Sequence, residues 1–537
     1  MLTAIRLTTI KEKSMKRIFA AVLTGSLVFS ASCQDFLDVN TNPNAPQDVS
    51  ANLYLPPLLH WMVTSPQFDG RFIGHYAQEW MSTSTNTSPY FTWGRMGYDP
   101  GSDNGAQQWR DVYWTFGQNL LDMNAKATAE QRWDLLGVGL ILKAWGWQVL
   151  TDVHGEIIIK EAIDPSRTTF DYDTQEFAYT EIKHLLDSAI VLLARNDGAV
   201  NQSYLARGDK IYNGDRAKWT KYAWGLIARN LNHYSNKAAY KPADVIAAVD
   251  KSFASEADNA LLTYPNTNND DINFWGRTRN NITAYRQTQF IVNLMNGSQF
   301  GNVIDPRMSR MLAIDSANTT YRGLDINSSG FGALTAPNQP RNFFGFTGTG
   351  GTSVPGRYLF DDKAKMPAMT YAELQFIKAE AALKMGDQPT ALAAYTKAIS
   401  AHIDFVNARN LDDNQQPTQI SAAEKAAFLA DPNIVPATLT LSHVMSQKYI
   451  AEWGWGHNEL WMDLRRYHYT DADAVSGTQV FRGFTPPTTL YADNSGKIVQ
   501  RIRPRYNSEY VWNLNALKAI GGDAVDFHTK PLWITQP

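Results

Sequence analysis

The sequence predicts an all-α dominated fold: a helical repeat of four degenerate tetratricopeptide-like helix pairs, with long irregular loops and little β-structure. Three observations carry this. Apolar residues recur at steps of three and four in several separate stretches. In the clearest of these, Tyr371 to Ala401, small and aromatic residues recur around a short break, as they do where two helices must approach closely. Between the stretches lie long segments rich in Gly, Asn, Thr and aromatic residues that show no period at all.

The elements follow in chain order. Lys16 and Arg17 precede the apolar run Ile18 to Phe29, which ends in Ser30-Ala31-Ser32-Cys33. This pattern predicts a signal peptide over 1–32. The run falls short of the roughly 20 residues a membrane span needs. Met15 is a more natural start than Met1, since the first fourteen residues add nothing to such a peptide. Cys33 is the chain's single cysteine and stands where a bacterial lipoprotein is cut and acylated, although Ser30 occupies a position where Leu is usual. The alternative is a stray thiol, a liability in an exported protein. An acylated Cys33 would anchor the chain to a membrane without crossing it. Residues 33–50, acidic and then turn-rich, read as a tether. A single helical domain is expected over 51–537.

Helix pairs are expected near 131–193, 215–253, 371–401 and 442–468. In the first, Trp133, Leu136, Leu140, Ala144 and Trp147 mark one face, and Ile182, Leu185, Leu186, Ala189 and Leu193 mark its partner. Asp215 is placed to cap the next helix, which should bury Trp219, Tyr222, Ala223 and Leu226. Gly386-Asp387 breaks the third pair and Pro389 opens its second helix. Ala379, Ala391, Tyr395 and Ala398 follow the small and aromatic spacing of a tetratricopeptide unit. The fourth pair includes Lys448, Tyr449, Trp453 and Trp461.

Hydrophobic residues make up 44% and charged residues 19% of the 537, ample for a core. Net charge is −3, and without residues 1–32, which carry five basic groups and one acid, it becomes −7. With no Lys/Arg cluster, this balance argues against nucleic acid and against electrostatic adhesion to anionic lipid.

No HExxH, GxSxG, phosphate-binding loop or paired CxxC is found. Asp152, His154 and Glu156 alternate past a helix and could offer ligands to a metal, but without a further ligand they read as a cap and loop clamp. Asp270-Asp271 and Asp361-Asp362 are adjacent carboxylates, whereas a glycosidase pair must face one another about 5 to 10 Å apart. No metal and no cofactor are expected. The aromatic loops Met81 to Gly105, Asn266 to Asn281 and Gly323 to Lys365 are where binding chemistry is expected, because Trp and Tyr faces stack on sugar rings while polar side chains bond the hydroxyls. The candidates are Trp80, Tyr90, Trp93, Arg95, Tyr98, Trp275, Arg277, Asn342, Phe343 and Phe344; any one of them could instead pack its loop onto the helices.

The lipidated cysteine and acidic tether, Thr151-Asp152-Val153-His154-Gly155, and the segment Asp209 to Trp219 together resemble the SusD/RagB family. So do Gln447-Lys448-Tyr449, the run Glu459 to Arg466, and Arg503-Pro504-Arg505-Tyr506 with Ser508-Glu509, Asn513 and Asn515. The wording is closest to SusD-like nutrient-binding outer-membrane lipoproteins. The resemblance implies a helical fold, no catalysis, an oligosaccharide or other nutrient as ligand, and a SusC-like TonB-dependent transporter as partner in the outer membrane. Arg465, Arg466, Arg503 and Arg505 are expected to stabilise the fold by fixing loop carbonyls and carboxylates such as Asp463 or Glu509. A surface glycoside hydrolase and a protein-binding tetratricopeptide adaptor are the competing expectations.

Overall fold

The computed structural model describes residues 49–83, 89–268, 271–327, 331–347, 357–412 and 419–537. Cys33, the leader, nearly all of the tether and Asp270 lie outside the described residues. Within them helix dominates. The longer helices are α1 (Leu55–Tyr76), α2 (Gly117–Ala129), α3 (Trp133–His154), α4 (Gln175–Leu193), α5 (Arg216–His233), α6 (Pro242–Lys251), α7 (Tyr371–Lys384), α8 (Gln388–Arg409), α9 (Ala422–Ala430), α10 (Leu441–Glu452) and α11 (His457–Arg466).

The helices pack in consecutive pairs: α3 on α4, α5 on α6, α7 on α8 and α10 on α11. Further contacts between α4 and α5 and between α6 and α7 join the pairs into a stack, so each apolar face is covered by the next unit. Local chemistry sets the helix starts. The side chains of Thr174, Asp215, Thr370 and Asp387 accept from the exposed N–H groups of the first turns of α4, α5, α7 and α8. Gly386, at φ +77°, permits the turn between α7 and α8. Close approach needs small residues: a Cβ on Gly137 of α3 would sit 2.8 Å from Leu193 Cγ of α4. In the α7–α8 pair, Ala379, Ala391, Tyr395 and Ala398 are all fully buried.

One predicted face is corrected. The apolar side of α4 is buried as its period predicts. In α3, Ala144 and Trp147 of the predicted face are buried, but Trp133, Leu136 and Leu140 are only half-buried, while Leu135, Val138, Leu142 and Trp145 are buried. The helix is wedged between α2 and α4, so it has two covered sides, and periodicity identifies only one direction.

Among the described residues strand is confined to four short pieces. β1 (Trp80–Ser82) and β3 (Tyr285–Gln287) pair antiparallel with Trp80 opposite Gln287; β2 (Ala260–Leu262) and β4 (Met366–Met369) pair with Ala260 opposite Met369. These ladders staple distant loops to the helical stack.

The interior also holds charge. Lys448 Nζ lies 3.0 Å from Glu459 Oε1, 2.7 Å from Asp463 Oδ2 and 3.7 Å from Glu452 Oε1, all buried. Arg466 bridges Asp463 and Glu380, while Arg229 meets Glu373 and Glu459. His233 lies between Glu459 and Asp152; burial pushes its imidazolium down, and these two carboxylates overcome that to set its pKa at about 9. The expectation that Arg466 serves the fold through Asp463 is met here.

Candidate ligand-binding site

Four of the predicted binding rings turn out to be core. Trp80 and Trp275 have no exposed surface, and Phe343 and Phe344 have 5% or less. The structure does bring three of them together, but inside the protein. Trp80 meets Trp275 edge to face at 5.4 Å, and Trp80 and Phe343 both pack on Trp453 at the α10–α11 corner. Trp275 Nε1 donates to Gly454 O. As placed, these rings have no face open to a ligand; they hold the loops to the helices. Asn342 is buried as well, its Oδ1 accepting from the N–H groups of Phe344 and Phe346 to shape the loop. Arg277 is half-buried. Arg95 donates to Thr489 O and Leu490 O, which ties two loops together. Tyr90 belongs to the short helix Pro89–Gly94, and its side chain lies outside the described residues.

Trp93 is core as well, 1% exposed, its ring packed on Phe72 and Tyr76 and its Nε1 donating to Asp99. It borders, with the half-buried Tyr98, a cavity of about 320 Å³ against the C-terminal segment 501–510. Tyr98 donates to Asp493, and the Arg503 guanidinium lies 4.5 Å from its ring centre. The same guanidinium is 5.1 Å from Tyr510, which stacks on Tyr506 at 5.5 Å with planes 15° apart. Rings and guanidinium thus form one connected wall. Arg503 is held in it by donating to the carbonyls of Gly522, Ala524 and Val525, as the sequence led one to expect, and to Tyr510 Oη. His528 completes the wall. Asn494 donates its amide hydrogens to Met96 O and Lys497 O, so its Oδ1 accepts from His528 Nε2. Burial and then the Arg503 charge lower the His528 pKa to about 4, so the ring is neutral at physiological pH.

A second cavity of about 400 Å³ lies on the same segment and takes Arg505, Ser508 and Glu509 as one wall. Its other wall is Trp109 to Trp114, where a wide π-helical turn over Asp111–Phe116 interrupts the helix. Such turns insert an extra residue and shift the side chains that follow. Buried Asp111 fixes this one by accepting from Ser65, Gln107 and Thr115. Tyr113 is clamped by its hydroxyl, which donates to Ile158 O and accepts from Ile158 N. Trp114 stands 68% exposed with the Arg110 guanidinium 4.7 Å from its ring centre. Tyr506–Tyr510 is a second π-helical turn, so the shared wall is itself irregular. Sequence reasoning passed over Arg110, Tyr113 and Trp114, and it assigned the Arg503–Tyr506 motif to the fold alone.

Asp152, His154 and Glu156 diverge. Asp152 accepts from Gln148 and Tyr179, His154 Nδ1 meets Ile502 O at 3.0 Å, and Glu156 pairs with Arg501. Asp362 accepts from Thr278, and Asp271 from Thr267 and Asn268. Among the described residues no cluster of three or more His, Cys, Asp or Glu is placed to hold a metal ion, and no helix is long and apolar enough to cross a membrane.

This architecture matches solved structures. A SusD/RagB family protein from Bacteroides thetaiotaomicron VPI-5482 superposes with a TM-score of 0.67 at 20% identity, covering 91% of this chain and 99% of its own. A SusD homolog from Bacteroides fragilis NCTC 9343 gives 0.67 at 19%, covering 91% and 100%. A chitin-binding SusD homolog from Flavobacterium johnsoniae gives 0.65 at 19%, covering 90% and 98%. No curated protein matches the sequence. The family model for SusD-like proteins, described as starch-binding associating with outer membrane, matches residues 43–486. With most of its length so matched, the chain belongs to the SusD-like family associated with the outer membrane.

Proposed function

We propose that this protein captures a glycan in the two cavities beside segment 501–510, without cleaving it, and delivers it to a SusC-like TonB-dependent transporter while tethered to the outer membrane through acylated Cys33. The observation that carries the reading is the wall of Tyr98, Arg503, Tyr510 and Tyr506: preformed aromatic faces, rigidly held, in a cavity whose lining also includes Asn104 and Asp523. A sugar ring stacks on such faces and its hydroxyls bond such polar side chains. The chitin-binding neighbour and the family description support a carbohydrate as ligand. A binder rather than a hydrolase is favoured because Asp99, a carboxylate of the first cavity, has Oδ2 occupied by Trp93 Nε1 and Asn104 Nδ2.

The test uses the soluble chain lacking residues 1–33. Calorimetric titration against a glycan panel should find a ligand that Tyr506→Ala weakens about tenfold or more with no change in melting temperature, and a reducing-end assay should detect no product. New reducing ends, or glycan binding indifferent to Tyr506→Ala, would overturn the reading. The anchor is checked by mass spectrometry of membrane-extracted protein at Cys33, and delivery by co-purification of the transporter.

A further inference from the structure

The second cavity has a charge pattern that a neutral sugar leaves unused. Two guanidiniums, Arg110 and Arg505, and one carboxylate, Glu509, line it. Glu509 is committed: its Oε2 accepts from Tyr172 Oη at 2.6 Å and Asn513 Nδ2 at 2.9 Å. Arg505 reaches away through Nη2 to Asp103 at 2.7 Å, while its Nε is buried without a partner, as is Ser508 Oγ. The Arg110 guanidinium forms no hydrogen bond or ion pair with a described side chain; it lies against the Trp114 ring, within electrostatic reach of Asp111. With Asp103 set against Arg505, Arg110 is the guanidinium of this lining that has no carboxylate in direct contact. Around these donors the walls are apolar, from Trp109, Ile158, Ile163 and Phe170.

We propose that this cavity is an anion-selecting subsite for an acidic sugar of the uronate class, with Arg110 receiving the carboxylate and Trp114 packing the ring. The proposal rests on the glycan-binding reading above. A guanidinium presents a planar fork that matches a carboxylate with two parallel hydrogen bonds. Apolar walls strengthen that attraction relative to bulk water. A neutral sugar in the same place would offer Arg110 only uncharged hydroxyl acceptors, which bond a guanidinium less strongly than a carboxylate does, so the cost of desolvating Arg110 is less fully offset.

The experiment titrates the soluble chain with trigalacturonate and a hyaluronan tetrasaccharide, each against its neutral methyl ester, at low and at high salt. An acidic probe should bind about tenfold or more tightly than its ester, the range expected for one charge-assisted pair. Raising the salt should narrow the gap. Arg110→Gln should reduce acid binding to the level of the ester, with Arg110→Lys in between, and neither should move the melting temperature. Equal affinity for acid and ester, or acid binding untouched by Arg110→Gln, would overturn the proposal. If neutral glycans bind through Tyr506 but neither acid does, this inference falls and the glycan-binding reading stands. If nothing binds, both fall.

Discussion

Lys448→Met removes the cation at the centre of the buried ion cluster. Its Nζ is within 3.0 Å of Glu459 and Asp463, and the site has no access to water. Breaking a buried pair by deleting one partner typically costs about 3–5 kcal/mol, because the other charge is stranded. Here the stranding is partial: Asp463 keeps Arg466 at 2.5 Å, and Glu459 keeps His233 at 3.0 Å and Arg229 at 3.5 Å. The expected loss is therefore at the low end, about 3 kcal/mol. A folded unit spanning Ala51–Pro537 has an unfolding entropy on the order of 1 kcal/mol/K, which converts the loss to about 3 °C in melting temperature. Glu452→Gln supplies the contrast. Burial raises the Glu452 carboxyl well above the usual carboxylate range, Lys448 being the main opposing influence, so its charged form is disfavoured. An amide in its place should change stability by less than about 1 kcal/mol. Scanning calorimetry of both variants decides the matter. Loss on Glu452→Gln as large as on Lys448→Met, or a Lys448→Met chain as stable as the parent, would refute the assignment of charges.

Three further outcomes are expected. His233 has a folded pKa of about 9 against roughly 6.5 when unfolded, so its stabilisation is complete below pH 6.5 and disappears as pH rises through 9; the difference corresponds to about 3 kcal/mol. Denaturant titrations across that window should show the fall in the parent and not in His233→Gln, and parallel curves would sink the claim. Trp275→Ala should cost about 3–5 kcal/mol, since it empties a fully buried site and frees the carbonyl of Gly454, whereas Trp114→Ala, on a ring 68% exposed, should stay within about 0.5 kcal/mol of the parent in the same melts. Gly137→Val drives a side chain into Leu193, where even a Cβ would lie 2.8 Å from Cγ, and should destabilise by about 1–3 kcal/mol; an unchanged melting point would mean that α3 and α4 have room to separate.

What the sequence made legible follows from the range of the forces involved. Asp215 as a helix cap, Gly386 as a turn and the apolar side of α4 depend on residues within a turn or two, and each was readable. Trp80, Trp275 and Phe343 were misread because an aromatic residue in a glycine-rich loop gives the same signal whether it meets a ligand or a distant helix. Their fate is decided by Trp453 and Gly454, remote in sequence. Trp114 was invisible for another reason: its outward direction comes from a π-helical turn, held by buried Asp111, that no local pattern announces.

Segment 501–510 shows why one motif can serve two ends. Fold and site chemistry alternate along it: Arg501 donates to Lys530 O and Pro531 O, and Arg503 to the carbonyls of 522, 524 and 525. Tyr506 and Tyr510 turn to the first cavity, while Arg505 and Ser508 turn to the second. Each guanidinium saturated by backbone carbonyls gives up freedom that a binding residue would otherwise lose on contact with ligand. The ring stacked upon it is thereby fixed before any sugar arrives. Under the glycan-binding proposal, a motif that stabilises the fold is also what holds the wall of Tyr98, Tyr506 and Tyr510 in register, so that a stabilising arginine and a tyrosine proposed to meet ligand differ only in position along the same stack.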